Sequence, residues 1–125
     1  MKTSSDRDAR SVANAYHRGW TRKRFEESID LLAPDLEVEV PINNYPTKAS
    51  FAEALTMFGQ MVDRVDLLAE LGEGQEAMLL YDLHAKGLGT MRVAEHFTVR
   101  AGKIARLRQV HDTAAVRAAG LARNS

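Results

Sequence analysis

The stretch Met91-Arg92-Val93-Ala94-Glu95-His96-Phe97-Thr98-Val99 alternates apolar and polar residues with a period of two. That period is typical of a β-strand with one buried face. Its core side carries four apolar residues, Met91, Val93, Phe97 and Val99. Glu95 falls on the same side, and a buried carboxylate is costly unless it is paired or hydrogen-bonded. Glu95 therefore indicates a polar site within an otherwise apolar sheet face.

Turn signals flank this strand on both sides. Gly87-Leu88-Gly89 precedes it and Arg100-Ala101-Gly102-Lys103 follows it. Residues 78–85 and 104–112, on the far sides of the turns, are rich in strand formers. Two short hairpin loops would pair the three strands antiparallel, with cross-strand neighbours about 5 Å apart. The sequence therefore predicts a three-stranded meander.

The register of the meander decides which side chains share a face. We predict one row in which Val93 lies between His84 and Gln109, and an adjacent row of Asp82, Glu95 and Leu107. Because side chains alternate along a strand, a slip of one residue would invert this arrangement. Five polar side chains are thus expected on one apolar face: Asp82, His84, Glu95, Gln109 and His111.

Helical patterns dominate the first part of the chain. Ser4 or Ser5 is placed to cap a first helix, which we expect to end near Gly19. The apolar stripe of that helix consists of Ala9, Val12, Ala13, Tyr16 and Trp20. Thr21 can cap a short second helix, which Ala33-Pro34-Asp35 would stop.

A strand, a helix and a further strand lead into the meander. Residues 36–42 alternate as a half-buried strand, and Thr47 begins a third helix that contains Phe58. Residues 65–71 are predicted as the strand before the meander. The order α-α-β-α-β-β-β-β predicts an α+β fold, with helices on one face of a curved antiparallel sheet and a cavity between them.

Composition limits the classes of partner. The 125 residues contain 17 basic and 17 acidic side chains and no cysteine. Balanced charge argues against nucleic-acid or anionic-membrane binding, and zero cysteines exclude disulfides and thiolate chemistry. With no signal-like segment and no apolar run of membrane-spanning length, a single cytoplasmic domain over residues 1–125 is expected.

Two phrases carry a family resemblance, Leu31-Leu32-Ala33-Pro34-Asp35-Leu36-Glu37-Val38-Glu39-Val40-Pro41 and Glu95-His96-Phe97-Thr98-Val99-Arg100-Ala101-Gly102-Lys103-Ile104. With the order of elements, they resemble the nuclear transport factor two-like superfamily over about residues 8–118. The chain is most similar to SnoaL-like proteins, the group around polyketide cyclases, ketosteroid isomerases and limonene epoxide hydrolase. The resemblance implies a conical pocket, closed by the first helices and lined by a bent sheet, and a homodimer.

The resemblance also suggests roles for particular residues. Glu95 matches the protonated oxyanion-hole acid of the isomerases, and Tyr16 matches their oxyanion tyrosine. Two positions depart from the family. Val40 stands where isomerases carry their general base, and Gln109 stands where cyclases and the epoxide hydrolase carry a catalytic aspartate. The usual mechanisms therefore do not transfer directly.

We take four residues as catalytic candidates. His84, held by Asp82 or Glu95, could act as a general base near neutral pH. Glu95, if desolvated and protonated, could donate to an oxyanion alongside Tyr16. Each also has a structural interpretation, because such groups often form ion pairs or structural hydrogen bonds. The predicted substrate-binding wall consists of Trp20, Val40, Phe58, Val93, Phe97, Leu107, Gln109 and His111.

Two classes of function remain open. The first is an enzyme that needs no cofactor and performs acid–base isomerisation, cyclisation, dehydration or epoxide opening on a small hydrophobic molecule. The second is a non-catalytic binding or dimerisation module. A metal bound by His84, Glu95 and His111 is a weaker alternative, because no tight ligand spacing supports it. A homodimer is predicted through the outer sheet face, on which we expect Leu79, Tyr81, Leu83 and Val110.

Overall fold

Helices and strands follow one another in the predicted order, and a further short helix follows the last strand. A computed structural model describes residues 8–120, so the predicted caps Ser4 and Ser5 lie outside the described residues. The elements are α1 (Ala9–Thr21), α2 (Phe25–Ile29), β1 (Leu32–Glu39), α3 (Lys48–Gly59), β2 (Val62–Glu73), β3 (Glu76–Ala85), β4 (Gly89–Arg100), β5 (Lys103–His111) and α4 (Ala114–Ala118).

Helix α1 buries the predicted stripe. Asp8 caps the helix by accepting a hydrogen bond from the Ser11 backbone N–H at 2.8 Å. The helix runs two residues beyond Gly19, which is buried. A Cβ atom at Gly19 would overlap with Ser28 Oγ, which donates a 2.6 Å hydrogen bond to the Tyr16 carbonyl. Gly19 therefore permits the close approach of α1 and α2 and does not end α1.

Helix α3 begins at Lys48, one residue after the predicted start, and Thr47 is its cap. The Thr47 side chain accepts a hydrogen bond from the Ser50 backbone N–H, and the Ser50 side chain accepts one from the Thr47 backbone N–H. This reciprocal pair satisfies two backbone donors that the first turn of a helix leaves free.

The five strands form one mixed sheet in the order β1-β5-β4-β3-β2. β1 pairs with β5 in parallel, and the other neighbours are antiparallel. Irregular pairing interrupts β1, β2 and the β4–β5 ladder, and such bulges bend strands. The β1 irregularity spans Pro34, which was expected to precede the strand. Proline is tolerated there because β1 is an edge strand.

The predicted register of β3 is wrong. The loop Lys86-Gly87-Leu88 joins Ala85 directly to its partner Gly89, so that Asp82 pairs with Arg92 and His84 pairs with Thr90. This register differs from the prediction by an odd number of residues, and an odd shift exchanges the two faces of a strand. Asp82 and His84 therefore lie on the outer face, away from the helices.

The observed register of β3 also places three apolar residues on the inner face. Leu79, Tyr81 and Leu83 are at most 2% exposed and belong to the core, so they do not form an outer dimer surface. Val110 is 70% exposed, as the predicted outer face requires.

The β4–β5 pairing keeps the predicted faces but shifts the rows. Glu95 pairs with Gln109, Val93 with His111 and Phe97 with Leu107. The shift is by two residues, which preserves the side that each residue faces. Glu95, Gln109 and His111 consequently remain on the inner face with the predicted core residues of β4.

The core lies between the inner sheet face and helices α1 and α3. Its fully buried members include Val12 and Tyr16 from α1 and Phe97, Ile104 and Leu107 from the sheet. None of the helices described within residues 8–120 is both long enough and apolar enough to cross a membrane.

Candidate active site

A cavity of about 420 Å³ lies between the helices and the inner sheet face. That volume is within the range of small-molecule sites. The lining comes from every layer of the fold: Tyr16, Trp20, Val40, Ile42, Asn43, Tyr45, Phe51, Ala54, Leu55, Met57, Phe58, Met61, Tyr81, Leu83, Met91, Val93, Glu95, Gln109, His111, Val116 and Gly120. Most of these side chains are apolar or aromatic, which suits a hydrophobic ligand with few polar groups.

Glu95 supplies a carboxyl group to this apolar cavity and is 1% exposed. Gln109 Nε2 donates to Glu95 Oε2 at 2.6 Å, and the Tyr81 hydroxyl donates to Oε1 at 3.2 Å. Burial raises the pKa of Glu95 to about 7, although both hydrogen bonds favour the charged form and oppose the rise. Near neutral pH this carboxyl group is therefore present in both protonation states.

Two tyrosines flank Glu95. Burial, followed by the charge of Glu95, raises the pKa of Tyr16 and of Tyr81 well above the ordinary value. Both phenols consequently keep their protons at neutral pH and can donate hydrogen bonds. Tyr16 is held by an edge contact with Phe97, at 5.7 Å between ring centroids. The sequence resemblance predicted Tyr16 as an oxyanion-binding tyrosine but assigned no role to Tyr81.

Tyr81 packs against an aromatic cluster that contains His17 and Trp20. The His17 ring lies 4.9 Å from the Tyr81 ring and 5.6 Å from the Trp20 ring, centroid to centroid. Burial lowers the pKa of His17 to about 4, against a smaller opposing effect of Glu70. His17 is therefore neutral at pH 7 and acts as part of the core. Sequence reasoning overlooked it, although it follows Tyr16 on the buried side of α1.

Asp82 and His84 are separated from the cavity by the sheet. Asp82 accepts two hydrogen bonds from Arg92, at 2.7 and 2.9 Å, and this pairing lowers the pKa of the Asp82 carboxyl. His84 contacts Thr90 Oγ1 at 2.7 Å and lies within 3.3 Å of both Arg64 and Asp66. The prediction that these two residues share a site with Glu95 is wrong, because the β3 register turns them to the outer face.

The predicted substrate wall divides into two groups. Those that line the cavity are Trp20, Val40, Phe58, Val93, Gln109 and His111. Phe97 and Leu107 pair across β4 and β5 and are completely buried, but they are not among the lining residues. Their predicted ligand contact is therefore wrong, and they belong to the core next to the cavity.

Within residues 8–120, no three histidine, aspartate or glutamate side chains are grouped so that they could hold a metal ion. The alternative metal site of His84, Glu95 and His111 is wrong, since His84 lies on the opposite sheet face from Glu95.

Sequence reasoning also missed the segment that follows β1. Ile42, Asn43 and Tyr45 line the cavity, and Tyr45 makes an edge contact with Phe51 of α3 at 5.8 Å between ring centroids. Asn43 adopts a positive φ of 70°, a conformation that asparagine tolerates better than most residues. A turn signal was visible here, but nothing local in the sequence indicates which side of the fold the turn covers.

Helices that close an apolar cavity against a bent mixed sheet define the nuclear transport factor two-like class, also called the cystatin-like fold. Within that class, the SnoaL-like domain model matches residues 13–107, and the chain belongs to this family. No curated protein is significantly similar to the chain in sequence. The predicted fold and family are therefore confirmed.

Solved structures show the same architecture. A protein from Kribbella flavida is 26% identical, with a TM-score of 0.85 over 90% of this chain and 93% of its own. An NTF2-like protein of unknown function from Cytophaga hutchinsonii is 15% identical, with a TM-score of 0.79 over 94% and 99% of the two chains. A second Kribbella flavida protein, provisionally assigned as a ketosteroid isomerase, is 19% identical, with a TM-score of 0.70 over 83% and 77%.

Proposed function

We propose that the protein is an enzyme of SnoaL-like type that needs no cofactor and catalyses proton transfer on a small apolar carbonyl compound. The observation that carries this proposal is Glu95, a buried carboxyl group with a pKa of about 7 in the lining of an apolar cavity. A carboxyl group with this pKa can give or accept a proton at physiological pH.

Glu95 and Tyr16 form the electrophilic part of the proposed site. A carbonyl oxygen placed against them gains negative charge when a neighbouring C–H bond is broken. The protonated Glu95 carboxyl donates its proton to that oxygen, and the Tyr16 phenol stabilises the charge by a hydrogen bond. Each carboxyl oxygen has two lone-pair sites, so the hydrogen bonds from Tyr81 and Gln109 leave Glu95 able to bind the substrate.

Family membership supports acid–base chemistry, since SnoaL-like and related proteins include isomerases and cyclases. The Kribbella flavida protein with the provisional ketosteroid isomerase assignment has the same fold. Val40 and Gln109, at the positions where relatives carry a base, argue that the reaction is not simple steroid isomerisation.

A binding module is the second candidate. It is favoured by the hydrogen bonds that already engage both oxygens of Glu95 within the protein. In that case Glu95 would order the cavity wall and recognise a ligand hydroxyl or carbonyl without chemistry.

Exchange of α-hydrogens for deuterium separates the two candidates. Apolar ketones such as β-tetralone and β-decalone are incubated with the protein in deuterium oxide, and exchange is followed by proton NMR. The enzyme proposal expects exchange above the buffer rate and a loss of about 100-fold or more in Glu95→Leu. Asp82→Asn, on the outer face, is the matched carboxylate control and should exchange normally. Ketone binding without exchange would favour the binding module.

We also propose that the protein forms a dimer through its outer sheet face. Leu80, Ala94 and Val110 are successive cross-strand partners there, and Met78 adds a side chain that is 46% exposed. This row replaces the one predicted from sequence and gives the outer face an apolar row.

A further inference from the structure

A second acid–base group shares the cavity with Glu95. Among the described lining residues, Glu95 and His111 are the ones that carry a carboxyl or an imidazole group. The other titratable side chains in the lining are the phenols Tyr16, Tyr45 and Tyr81. Glu95 and His111 are therefore the lining groups of the kinds that most often serve as general acid and general base.

A hydrogen bond fixes the proton on the His111 ring. His111 Nδ1 lies 3.0 Å from the Asp112 backbone carbonyl oxygen, which can only accept. Nδ1 of the neutral ring therefore carries the hydrogen, and Nε2 carries the lone pair. A ring held in this tautomer presents a base at Nε2.

The sheet register places His111 beside Glu95. Gln109 is the cross-strand partner of Glu95, and His111 is the next residue of β5 on the same face, opposite Val93. Glu95 and His111 are therefore diagonal cross-strand neighbours, about 7–8 Å apart between Cα atoms. A small molecule between the two side chains can contact one with its oxygen and the other with a neighbouring carbon.

The segment after β5 covers the His111 end of the cavity. Asp112 Oδ1 accepts from the Ala114 backbone N–H at 2.9 Å, which fixes the turn into α4. Val116 of α4 is 8% exposed, and both it and Gly120 line the cavity. His111 is consequently half-buried at the boundary between the cavity and this cover.

We propose that His111 is the general base of the cavity and that the substrate class is a small apolar ketone with a hydrogen on the carbon next to the carbonyl. This inference rests on the proposed function. It also supplies the base that Val40 and Gln109 cannot provide at the positions used by relatives.

One proton passes from the substrate carbon to His111, and another passes from Glu95 to the substrate oxygen. His111 Nε2 takes the proton from the carbon, and the C–H electron pair becomes the C=C bond of an enol. The carbonyl π pair moves to oxygen, which takes the proton of Glu95. Imidazolium and carboxylate result. The proton on the imidazolium is replaced by solvent deuterium. Delivery of that deuterium to the same carbon gives α-exchange, and delivery to a conjugated carbon gives isomerisation. In both cases the carbonyl reforms as the enol O–H returns its proton to the Glu95 carboxylate.

The test compares His111→Gln with His84→Gln, a matched control on the outer face. Exchange of the α-hydrogens of β-tetralone is measured in deuterium oxide, with binding followed by ligand chemical shifts and folding by circular dichroism. His111→Gln should lower the exchange rate about 100-fold or more while β-tetralone still binds, and His84→Gln should match the wild type. Added imidazole should restore exchange to His111→Ala.

Two outcomes would overturn the assignment, and they can be told apart. Wild-type exchange that persists in folded His111→Gln shows that another group is the base, while the proposed function stands. Exchange no faster with the wild type than in buffer, across the ketone panel, removes the proposed function and the role of His111 together.

Discussion

Gln109 Nε2 lies 2.6 Å from Glu95 Oε2, and the two residues are direct cross-strand partners on β5 and β4. An amide thus donates to a buried carboxyl group at the position where the sequence resemblance places a catalytic aspartate in the cyclases. Two acidic side chains so close would oppose each other's ionisation. The amide instead stabilises the charged form of Glu95 and keeps its pKa near 7, against the effect of burial.

Removing the amide should raise the pKa of Glu95. In Gln109→Leu we expect the pKa to rise above about 7, by roughly one pH unit, because a hydrogen bond to the charged form is lost. Tyr81→Phe should raise it less, since the Tyr81 hydrogen bond is the longer one, 3.2 Å against 2.6 Å. Carboxyl carbon NMR titration measures both values. A pKa that falls in Gln109→Leu would show that the hydrogen bond does not favour the carboxylate.

Glu95 should make the folded state less stable as the pH rises. Its pKa is raised from 4.5 to about 7, so the folded state holds the proton more tightly than the unfolded chain. The stabilisation is fully present below pH 4.5 and is lost as the pH rises through 7. The change amounts to roughly 3 kcal/mol in the free energy of unfolding. Urea unfolding of Glu95→Gln should lack this dependence, and an unchanged dependence would refute the raised pKa.

His17 should have the opposite effect. Its pKa is lowered from 6.5 to about 4, so acid protonates the unfolded chain first and destabilises the fold as the pH falls through that window. Between pH 4.5 and 6.5 the two residues therefore oppose each other. His17→Phe should show the Glu95 dependence alone in urea unfolding. If His17→Phe loses stability on acidification as steeply as Glu95→Gln does, His17 is not the group responsible.

Gly19 and Ser28 should be energetically coupled. Gly19→Ala places a methyl group against Ser28 Oγ and should cost about 1–3 kcal/mol through overpacking. Ser28→Ala removes that atom and its hydrogen bond to the Tyr16 carbonyl, at about 1 kcal/mol. The double variant should cost less than the sum, because the shared clash is gone. Strict additivity in urea unfolding would contradict the close approach of α1 and α2.

The outer sheet face should hold the proposed dimer together. Val110→Asp puts a charge on the apolar row of Leu80, Ala94 and Val110, and should shift the protein from dimer to monomer in light scattering at micromolar concentration. Met57→Asp is the matched control, because Met57 is 62% exposed but lies on α3. A monomeric wild type would refute the dimer, and a dimeric Val110→Asp would place the interface elsewhere.

Local patterns predicted most of the fold. The alternation of β4, the helical stripe of α1 and the start of α3 near Thr47 all depend on nearby residues, and the structure has each of them close to where it was predicted. Glu95 was identified for the same reason, since a carboxylate among alternating apolar residues is visible in one strand. The family phrases then indicated where the helices close over the sheet.

Register depends on loop geometry and could not be obtained in the same way. The short loop Lys86-Gly87-Leu88 reverses the faces of β3, which brings Tyr81 inward and turns Asp82 and His84 outward. Counting β3 back from Gly89 with a three-residue loop would have revealed Tyr81. The cavity contacts of the segment after β1 depend on tertiary packing. The turn residues of that segment do not indicate which side of the fold it packs against.

The pH dependence of ketone α-hydrogen exchange tests the central claim most directly. The active form carries a protonated Glu95 and a neutral His111, so the wild-type rate with β-tetralone should exceed the buffer rate and decline as the pH rises through about 7. Glu95→Leu should lose that catalysis, whereas Asp82→Asn should keep both the rate and the profile. A wild-type rate equal to buffer, or an unchanged profile in Glu95→Leu, would contradict the assignment of this cavity as an acid–base active site.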